Sequence, residues 1–431
     1  MSPVYLNGQN PTQQRDVSIT PAITSLTARY LFPVAGPPLA GGCVTVQGER
    51  IVDVAARPSG QCLDLGNVAI LPGFVNAHTH LEFSDCAAPL GVAGMPLPAW
   101  LRMVIAARRD AGENAAVAIA RGLDESVRTG TTAIGEIATG GWTDQSLAEA
   151  PVDLLAYFEL RGLLAERVPE RLAEAERVAS RARRARPPHA WRAGLSPHAP
   201  YSVHPELLVG LVRMAHAHDL PVAMHLAESR EEIELLATGS GPFRTFLEEL
   251  GVWDATAFAH GTRPLEYLQV LGAAPRALVV HGNYLSDEEL EYLAIHAERM
   301  TTVYCPRTHA YFGHARHPLP RLLALGASVA LGTDSRASNP DLGVLAEMRH
   351  VARRFPEIAP ADVLRLGTLA GAQALACDAD TGSLQPGKLA NLAIVELPSH
   401  EAADPHELVF DAELPVVATY CRGKPITDGN S

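Results

Sequence analysis

Lysine is almost absent from this sequence. Of 431 residues only Lys388 and Lys424 are lysine, and arginine fills the other basic positions. Acidic residues outnumber basic ones by 48 to 35, and the formal net charge of −13 argues against nucleic acid or an anionic membrane surface as a partner. No uninterrupted apolar run reaches the ~20 residues of a membrane-spanning helix. Residues 1–16 lack the basic and apolar stretches of a signal peptide, so we expect a cytoplasmic protein.

Cysteine motifs are missing as well. Six cysteines are scattered along the chain, and no two of them form a CxxC pair. This spacing predicts reduced, mostly buried thiols rather than a disulfide framework or a cysteine zinc site. Hydrophobic residues make up 47% of the chain, so it can bury a large core in one large domain or in about two or three smaller ones.

What the sequence does contain is an alternation of apolar, strand-like runs with helix-like stretches rich in Ala, Leu, Arg and Glu. The predicted strands are residues 69–77, 131–137, 152–160, 191–197, 221–225, 277–281, 301–305 and 328–334. Strands that each lead into a helix predict an α/β protein with a (β/α)8 TIM barrel. The alternative is a doubly wound open sheet, but no GxGxxG follows the first strand.

Both ends of the chain are β-rich and do not continue this alternation. "GCVTVQGERIVDVA" predicts a hairpin with its turn at residues 47–49, and "GSLQPGKLANLAIVEL" and "PVVATYCRGKPI" predict short strands between Gly/Pro turns. We therefore expect a small β-sandwich domain formed by both termini. Its predicted parts are residues 1–68 and 376–431, and the barrel is predicted to span 69–375.

Polar side chains stand at the C-terminal ends of several predicted strands. His78 and His80 end the first strand, and because strand side chains alternate they face the same side. Later strands lead in the same way to His198, His225, His281 and Asp334. Any one of these residues alone is commonly structural, but the C-terminal strand ends of a (β/α)8 barrel converge on the active site. Imidazoles are common metal ligands, so their convergence predicts a metal centre.

Five segments carry a resemblance to a known family. "PGFVNAHTHLEFS", "MHLAES", "VHGNYLSDEEL", "LGTDSRASNPDL" and "GSLQPGKLANLAIV" resemble the amidohydrolase superfamily, and within it the branch of cytosine, guanine and S-adenosylhomocysteine deaminases and chlorohydrolases. The resemblance implies metal ligands at His78, His80, His225 and Asp334. It also implies that Glu228, the last residue of "HLAE", is the proton shuttle.

The resemblance assigns two further histidines. His281 is implied as a second-shell or electrophilic catalyst, and His198 as a substrate contact. A catalytic role is expected of Asp334 besides ligation, since it can accept a hydrogen bond from the attacking water. Three neutral imidazoles and one carboxylate suit Zn²⁺, tolerate Fe²⁺ and leave a position open for water. The bound metal would lower the pKa of that water from about 15.7 toward ~7, which makes hydroxide attack on an amine-bearing carbon feasible.

The number of metal ions follows from the scarcity of lysine. Two-metal members of this superfamily usually bridge their ions with a carboxylated lysine after the fourth strand. No lysine precedes Lys388, so this bridge cannot form, and we expect one divalent ion. Glu136, at the end of the second predicted strand, leaves an alternative open, because it could donate a bridging carboxylate or could instead hydrogen-bond the barrel rim.

Two arginines are candidate substrate contacts near the barrel mouth. Arg336 lies two residues past Asp334, and Arg307 lies on the loop after the preceding strand. The planar fork of arginine matches carboxylate or phosphate, so the pair predicts a substrate with an anionic tail. The alternative for Arg336 is an ion pair with Asp341 or Glu347, without any role in substrate binding.

Two other side chains and one loop complete the candidate site. Trp100 is either a lid aromatic or a core residue, and Glu159 either contacts a ribose or amine of the substrate or forms a rim salt bridge. Residues 305–317, "CPRTHAYFGHARH", are expected to form a loop that covers the substrate. A second metal site built from the histidines of this loop is the alternative.

These residues predict a metal-dependent hydrolase. The first hypothesis is hydrolytic deamination of an aminated heterocycle or nucleoside-like metabolite, of adenosine type or similar to aminofutalosine. The second is cleavage of a chloride, an amide or a ring C–N bond at the same site, and the third is a non-catalytic scaffold on a degenerate barrel. The complete ligand set, with Glu228 and His281, argues against the third. The predicted partner is a small-molecule substrate, and self-association into a homo-oligomer is left open.

Overall fold

The computed structural model describes residues 23–58, 60–111, 115–184, 191–258, 261–411 and 413–426. The opening segment, from whose composition we expected no signal peptide, lies outside these residues. Within the described ranges, no helix combines the length and the apolar character that crossing a membrane requires.

Strands of the described chain form three sheets. The N-terminal strands are β1 Ile23–Thr27, β2 Tyr30–Leu31, β3 Leu39–Ala40, β4 Cys43–Gln47, β5 Arg50–Ala55, β6 Leu63–Asp64 and β7 Val68–Pro72. The central strands are β8 Phe74–Thr79, β9 Thr131–Ala138, β10 Asp153–Leu160, β11 Arg192–Pro197, β12 Val222–Leu226, β13 Ala277–His281, β14 Met300–Tyr304 and β15 Ser328–Leu331. The C-terminal strands are β16 Leu392–Glu396, β17 Val416–Cys421 and β18 Lys424–Ile426.

Helices follow each central strand. The first half of the chain contains α1 Leu97–Ala111, α2 Ala115–Arg128, α3 Asp144–Ala148, α4 Val168–Arg184, α5 Pro205–His218, α6 Arg230–Thr238 and α7 Pro242–Glu249. The second half contains α8 Pro264–Leu271, α9 Asp287–Ile295, α10 Pro306–Tyr311, α11 Leu319–Leu325, α12 Val344–Arg354, α13 Pro360–Leu366, α14 Leu369–Ala374 and α15 Glu407–Phe410.

The central strands β8 to β15 pair in chain order, and every pair is parallel. Strands such as β8, β9 and β13 are buried at every residue. Burial on both faces is the pattern of parallel strands that are covered by helices, and it explains why these segments are continuous apolar runs in the sequence. The predicted (β/α)8 barrel of the α/β class is confirmed.

Both ends of the chain build the small β domain, as predicted. One sheet has the order β5-β4-β1-β6, and the other, β18-β17-β16-β7-β2-β3, joins strands from the two termini. The two sheets share one apolar core, to which Val44 and Ile51 contribute from the first sheet and Ile70 and Leu392 from the second. The predicted hairpin is present, because β4 and β5 pair antiparallel with Gln47 opposite Arg50.

The single strand predicted over residues 69–77 is wrong in one respect. The run is divided at Gly73: β7 pairs antiparallel with β16 in the small domain, whereas β8 is the first barrel strand. The Gly73 N–H donates to the Asn391 carbonyl at 2.8 Å, and a Cβ at this position would lie 2.2 Å from the Thr132 hydroxyl. An unbroken apolar run does not reveal such a change of sheet. The domain boundaries stay a prediction.

The barrel closes between its first and last strands. A parallel bridge joins Thr79 to Asp334, and the Thr79 hydroxyl donates to the Asp334 carbonyl at 2.8 Å. The Thr333 and Asp334 N–H groups both donate to the His78 carbonyl at 3.1 Å. Gly332 lies against the same residue, because a Cβ there would stand 2.8 Å from the His78 carbonyl oxygen and 2.9 Å from its Cβ.

This close approach predicts the effect of adding one methyl group. Gly332→Ala should lower the free energy of unfolding by ~1–3 kcal/mol, the usual cost of overpacking, and should reduce metal content because His78 must move. Urea unfolding and metal analysis measure both effects. Gly36→Ala is the control, since a Cβ at Gly36 meets nothing within 4 Å. Equal unfolding midpoints for the two variants would contradict the expectation.

Candidate metal centre and active site

Four predicted ligands from three strand ends converge on one buried point. His78 and His80 come from the end of β8, His225 from β12, and Asp334 from the turn after β15. The Nε2 atoms of His80 and His225 are 3.3 Å apart. One oxygen of Asp334, Oδ1, lies 3.8 Å from His78 Nε2 and 3.7 Å from His80 Nε2. The donor atoms of His78, His80 and Asp334 all lie within 4.8 Å of one another, which is close enough for one metal ion to bind them.

The remaining atoms of these side chains are held so that the donors face this point. His225 Nδ1 contacts the His198 carbonyl at 2.8 Å, so the lone pair of Nε2 is the one that can bind a metal. The Ser338 hydroxyl donates a hydrogen bond to Asp334 Oδ2 at 2.9 Å, and Oδ1 faces the histidines. His78 Nε2 is buried and has no hydrogen-bond partner among the described residues. A buried polar atom without a partner is costly, and a metal ion would satisfy it.

Protonation states agree with metal binding. Burial lowers the pKa of His78 well below its usual value, and the neighbouring His80 and His225 lower it further. The pKa of His80 is lowered well below its usual value, chiefly by burial and then by His225. The pKa of His225 is lowered too, with burial as the largest cause. Neutral imidazole is the form that ligates a metal, so these residues can bind an ion without first losing a proton.

Two predicted catalytic residues lie beside the ligand cluster. His281 Nε2 is 3.6 Å from Glu228 Oε1, and the donor atoms of His78, His225 and His281 lie within 4.8 Å of one another. Burial raises the pKa of Glu228 well above its usual range, and the nearby Asp334 carboxylate raises it further. Burial also raises the pKa of Asp334, to about 7. For Glu228, burial thus favours the protonated carboxyl, which is the form that can deliver a proton to a substrate.

Glu136 makes different contacts. Its carboxylate accepts the Leu81 N–H at 3.1 and 3.2 Å and the Trp142 indole N–H at 3.2 Å. The described residues that form the two possible metal clusters do not include it. The geometry thus favours the barrel-rim alternative over a bridging carboxylate.

A cavity of about 380 Å³ opens above the cluster. Its floor consists of polar side chains of the strand ends: His80, His198, His225, Glu228, His281 and Asp334. One wall is apolar and is formed by α1, α7 and nearby segments: Leu97, Trp100, Leu101, Val104, Ile105, Leu163, Leu164, Phe246, Leu247, Leu250 and Val252. Four arginines also border it: Arg108, Arg161, Arg167 and Arg171.

Three of the predicted substrate contacts lie at or near this cavity. His198 lines it, with Nδ1 2.6 Å from the Ser202 hydroxyl and Nε2 3.7 Å from Glu159. Trp100 lines it as well, and its indole N–H donates to the Ala337 carbonyl at 3.2 Å. Glu159 forms an ion pair with Arg161 and borders the adjoining cavity. Substrate contact by these side chains stays a prediction, which their position supports for His198 and Trp100.

Arg307 and Arg336 lie elsewhere. Arg307 binds Glu347 at 2.7 Å and Asp341 at 2.8 Å, and the described cavity residues include neither arginine. Arg336 donates to Glu125 at 2.9 Å and to the Cys86 carbonyl at 3.0 Å. Asp341 and Glu347, which we weighed as partners of Arg336, therefore pair with Arg307. Anion recognition by these arginines stays a prediction, and the observed pairing argues against it.

The segment 305–317 begins with α10 and backs the apolar wall. Phe312 packs edge-on against Trp100 with ring centroids 5.2 Å apart, and the Tyr311 hydroxyl donates to the Leu90 carbonyl at 2.6 Å. His317 Nε2 contacts the His281 carbonyl at 3.0 Å. No metal-binding group among the described residues contains a histidine of this segment. The segment supports Trp100 and His281 from behind, rather than covering the cavity directly.

Sequence reasoning missed the arginines and apolar residues of the cavity wall. Most of these residues lie on α1 and α7 or near α4, whereas the predicted catalytic residues lie at the strand ends. Arg161 had a detectable signal, because it follows Glu159 by two residues at the end of a predicted barrel strand.

Comparison with known proteins agrees with this geometry. Residues 69–426 match the model of the Amidohydrolase family. The chain belongs to this family. A 5-methylthioadenosine/S-adenosylhomocysteine deaminase from Nitratidesulfovibrio vulgaris is 31% identical over 371 residues, which cover 83% of this chain and 78% of that protein. The predicted enzyme class, an aminohydrolase acting on carbon–nitrogen bonds, is confirmed.

Solved structures of this amidohydrolase's relatives have the same fold. Helicobacter pylori aminofutalosine deaminase superposes with a TM-score of 0.78 at 22% identity, which covers 94% of this chain and 100% of that chain. An adenosine deaminase from Xanthomonas campestris, solved with bound zinc, superposes with a TM-score of 0.74 at 24% identity and covers 93% and 92% of the two chains. At these identities the superpositions establish the barrel fold.

Substitution of a single ligating side chain is expected to abolish metal binding. The purified amidohydrolase should contain close to one divalent ion per chain. The variants His225→Ala and Asp334→Ala should not retain this ion, because each removes one of the four converging donor atoms. Glu136→Gln is the control and should retain the ion, since its carboxylate contacts Leu81 and Trp142 instead. Metal analysis that finds two ions per chain, lost together in Glu136→Gln, would overturn the mononuclear site.

The ion pairs of Arg307 predict a loss of stability rather than of selectivity. Arg307→Met leaves the fully buried Glu347 without its cation and should cost ~3–5 kcal/mol of unfolding free energy, the range for breaking a buried pair. The ratio of kcat/KM values for anionic and neutral substrates should not change. Arg128→Met, which removes only an exposed pair with Asp124, is the control. A change of selectivity without loss of stability would restore the anion hypothesis.

Proposed function

We propose that this protein is a zinc-dependent hydrolytic deaminase of adenosine-type nucleosides. The observation that carries the proposal is the position of Glu228 and His281 directly beside the ligand cluster, on the floor of the cavity. Hydrolytic deamination requires a nucleophilic water and a group that moves protons onto the ring nitrogen and the leaving ammonia. The deaminases named among the relatives support this reaction over other hydrolyses.

The metal requirement is proposed as one Zn²⁺ held by His78, His80, His225 and Asp334. When bound there, the ion supplies a water of lowered pKa close to neutral pH. Nitrogen donors with one carboxylate suit zinc, and the structural relative from Xanthomonas campestris contains zinc. The absence of lysine before Lys388 and the rim contacts of Glu136 both support a single ion.

The side chains of the protein transfer the protons and position the substrate. Glu228 moves the protons in sequence: it donates one to the ring nitrogen, takes one from the attacking water, and passes that proton to the amine, which leaves as ammonia. His281 stands 3.6 Å from Glu228 and orients the attacked carbon over the cluster. His198 borders the cavity and also positions His225 through its carbonyl.

The cavity also suggests which nucleosides fit. A volume of about 380 Å³ falls within the range of ~300–1,000 Å³ usual for small-molecule sites. When the aminated ring lies over the cluster, the other end of the molecule faces the wall formed by α1 and α7. This wall carries Leu101, Val104 and Leu247, so an apolar 5′ substituent, such as the methylthio group named for the N. vulgaris relative, is favoured over a free 5′ hydroxyl.

A panel of substrates tests the proposal. Ammonia release should be fastest from 5′-methylthioadenosine and other adenosine derivatives with apolar 5′ groups, and slower from adenosine, because the apolar wall does not hydrogen-bond a hydroxyl. Cytosine, guanine and a chlorotriazine complete the panel. Ammonia from cytosine or guanine only, or chloride from the chlorotriazine without deamination of any nucleoside, would contradict the proposal.

Glu228→Gln is the matched control for this panel. The variant keeps the size of the side chain and removes its proton-transfer role, so turnover should fall ~10²–10⁴-fold while metal content persists. Loss of metal from Glu228→Gln would instead identify Glu228 as a ligand.

A further inference from the structure

Glu232 is a buried carboxylate that the proposed chemistry does not use. It lies in the first turn of α6, it is 0% exposed, and the described residues that line the cavity do not include it. Its two oxygens accept two successive backbone N–H groups: Oε1 accepts from Ala227 at 2.7 Å and Oε2 from Glu228 at 2.9 Å. The side chain thus binds the backbone of the residue that precedes the proton shuttle and of the shuttle itself.

The backbone at this point needs such support. Ala227 has φ 54°, in the left-handed region that a residue with a Cβ adopts only at an energetic cost. Because the chain turns here immediately after β12, the conformation of Ala227 sets the direction in which the Glu228 side chain leaves the backbone. Without the Glu232 carboxylate, two N–H groups would lose their acceptor, which is a penalty large enough to reshape a turn.

The carbonyl side of the same segment is bound to the turn after β13. The Leu226 carbonyl accepts from Gly282 N–H at 3.0 Å, and the Ala227 carbonyl accepts from Tyr284 N–H at 3.1 Å. The Glu228 carbonyl accepts from the Asn283 side-chain amide at 2.9 Å. These bonds hold Glu228 next to His281, but they do not restrain the N–H groups of residues 227 and 228, for which Glu232 is the acceptor.

We propose that Glu232 is a positioning residue for catalysis, which acts on the reaction only by orienting Glu228. The proposal rests on the proposed function in one respect, that Glu228 transfers the proton. A misplacement of about 1 Å at a reacting group can cost ~10²-fold in rate. The competing interpretation is that Glu232 only stabilises the start of α6, where Ser229 accepts its N–H at 3.2 Å.

The chain offers a matched control in Glu289. It occupies the same position in the first turn of α9 and is 2% exposed. Its oxygens also accept two backbone N–H groups, from Ser286 at 2.6 Å and Leu265 at 3.1 Å. Neither of these residues is part of the ligand cluster or of the catalytic pair. Glu289→Gln therefore weakens the same kind of hydrogen bonds at the start of a helix without affecting the position of Glu228.

A double-mutant cycle on the zinc-loaded enzyme with 5′-methylthioadenosine tests the proposal. Glu232→Gln should lower kcat about 10- to 100-fold, with KM and metal content nearly unchanged, whereas Glu289→Gln should leave kcat within about 2-fold. In the Glu228→Gln background, adding Glu232→Gln should change kcat by less than about 2-fold, because the residue that it orients is already inactive. The proposal would be overturned if Glu232→Gln lowered kcat by the same factor in the wild-type and Glu228→Gln backgrounds. It would also be overturned if Glu289→Gln lowered kcat as much as Glu232→Gln does.

A second readout does not depend on turnover. Hydrogen exchange of the peptide covering residues 226–229 should accelerate in Glu232→Gln and not in Glu289→Gln, because the acceptor of two amides is weakened. Unchanged exchange there would also overturn the proposal. If Glu232→Gln does not fold, Glu232→Asp, which is one methylene shorter, enters the same cycle with the same expected pattern. Should Glu228→Gln retain full activity, the proposed function fails while the exchange result still reports on the Glu232 contact.

Discussion

Closure of the barrel between β8 and β15 is the interaction on which the site depends. The Thr79 hydroxyl and the Asp334 carbonyl, 255 positions apart in sequence, meet at 2.8 Å, and the Asp334 N–H binds the His78 carbonyl. Through this contact the predicted ligand Asp334 comes within reach of His78 and His80, which share one strand end. Closure of the barrel therefore also assembles this part of the predicted metal centre, and a bound metal ion would stabilise the closed barrel in turn, because its predicted ligands come from both the first strand and the turn after the last strand.

Three of the seven non-glycine residues with positive φ in the described chain lie at the same strand ends. Ala227, His281 and Asp334 have φ values of 54°, 72° and 56°, which residues with a Cβ rarely adopt. Each is held by hydrogen bonds from outside its own strand: Glu232 binds the Ala227 N–H, His317 contacts the His281 carbonyl, and Thr79 binds the Asp334 carbonyl. Strain that is maintained by such surroundings is typical of functional sites. In this barrel, these backbone conformations direct the side chains at the strand ends away from the strand axis and toward the predicted metal site.

The sequence predicted the barrel and the family, which are confirmed, because both depend on local signals. Apolar runs mark buried strands, and the residue that ends each run marks the active end of the barrel. It did not predict the partners of Arg307 and Arg336, since Glu125 is 211 positions from Arg336 and only tertiary contact brings them together. The division of the first predicted strand at Gly73 was missed for the same reason, because pairing with β16 is a distant interaction.

The two halves of the cavity also explain why the reaction was easier to predict than the substrate. The floor consists of strand-end residues such as His225, Glu228 and Asp334, whose types and spacing are unusual enough to be recognised. The wall consists of residues such as Leu101, Val104 and Leu247, which in the sequence are indistinguishable from the buried face of any amphipathic helix. The wall on α1 and α7 therefore carries little signal in the sequence, although a substrate in the cavity would contact it as well as the floor.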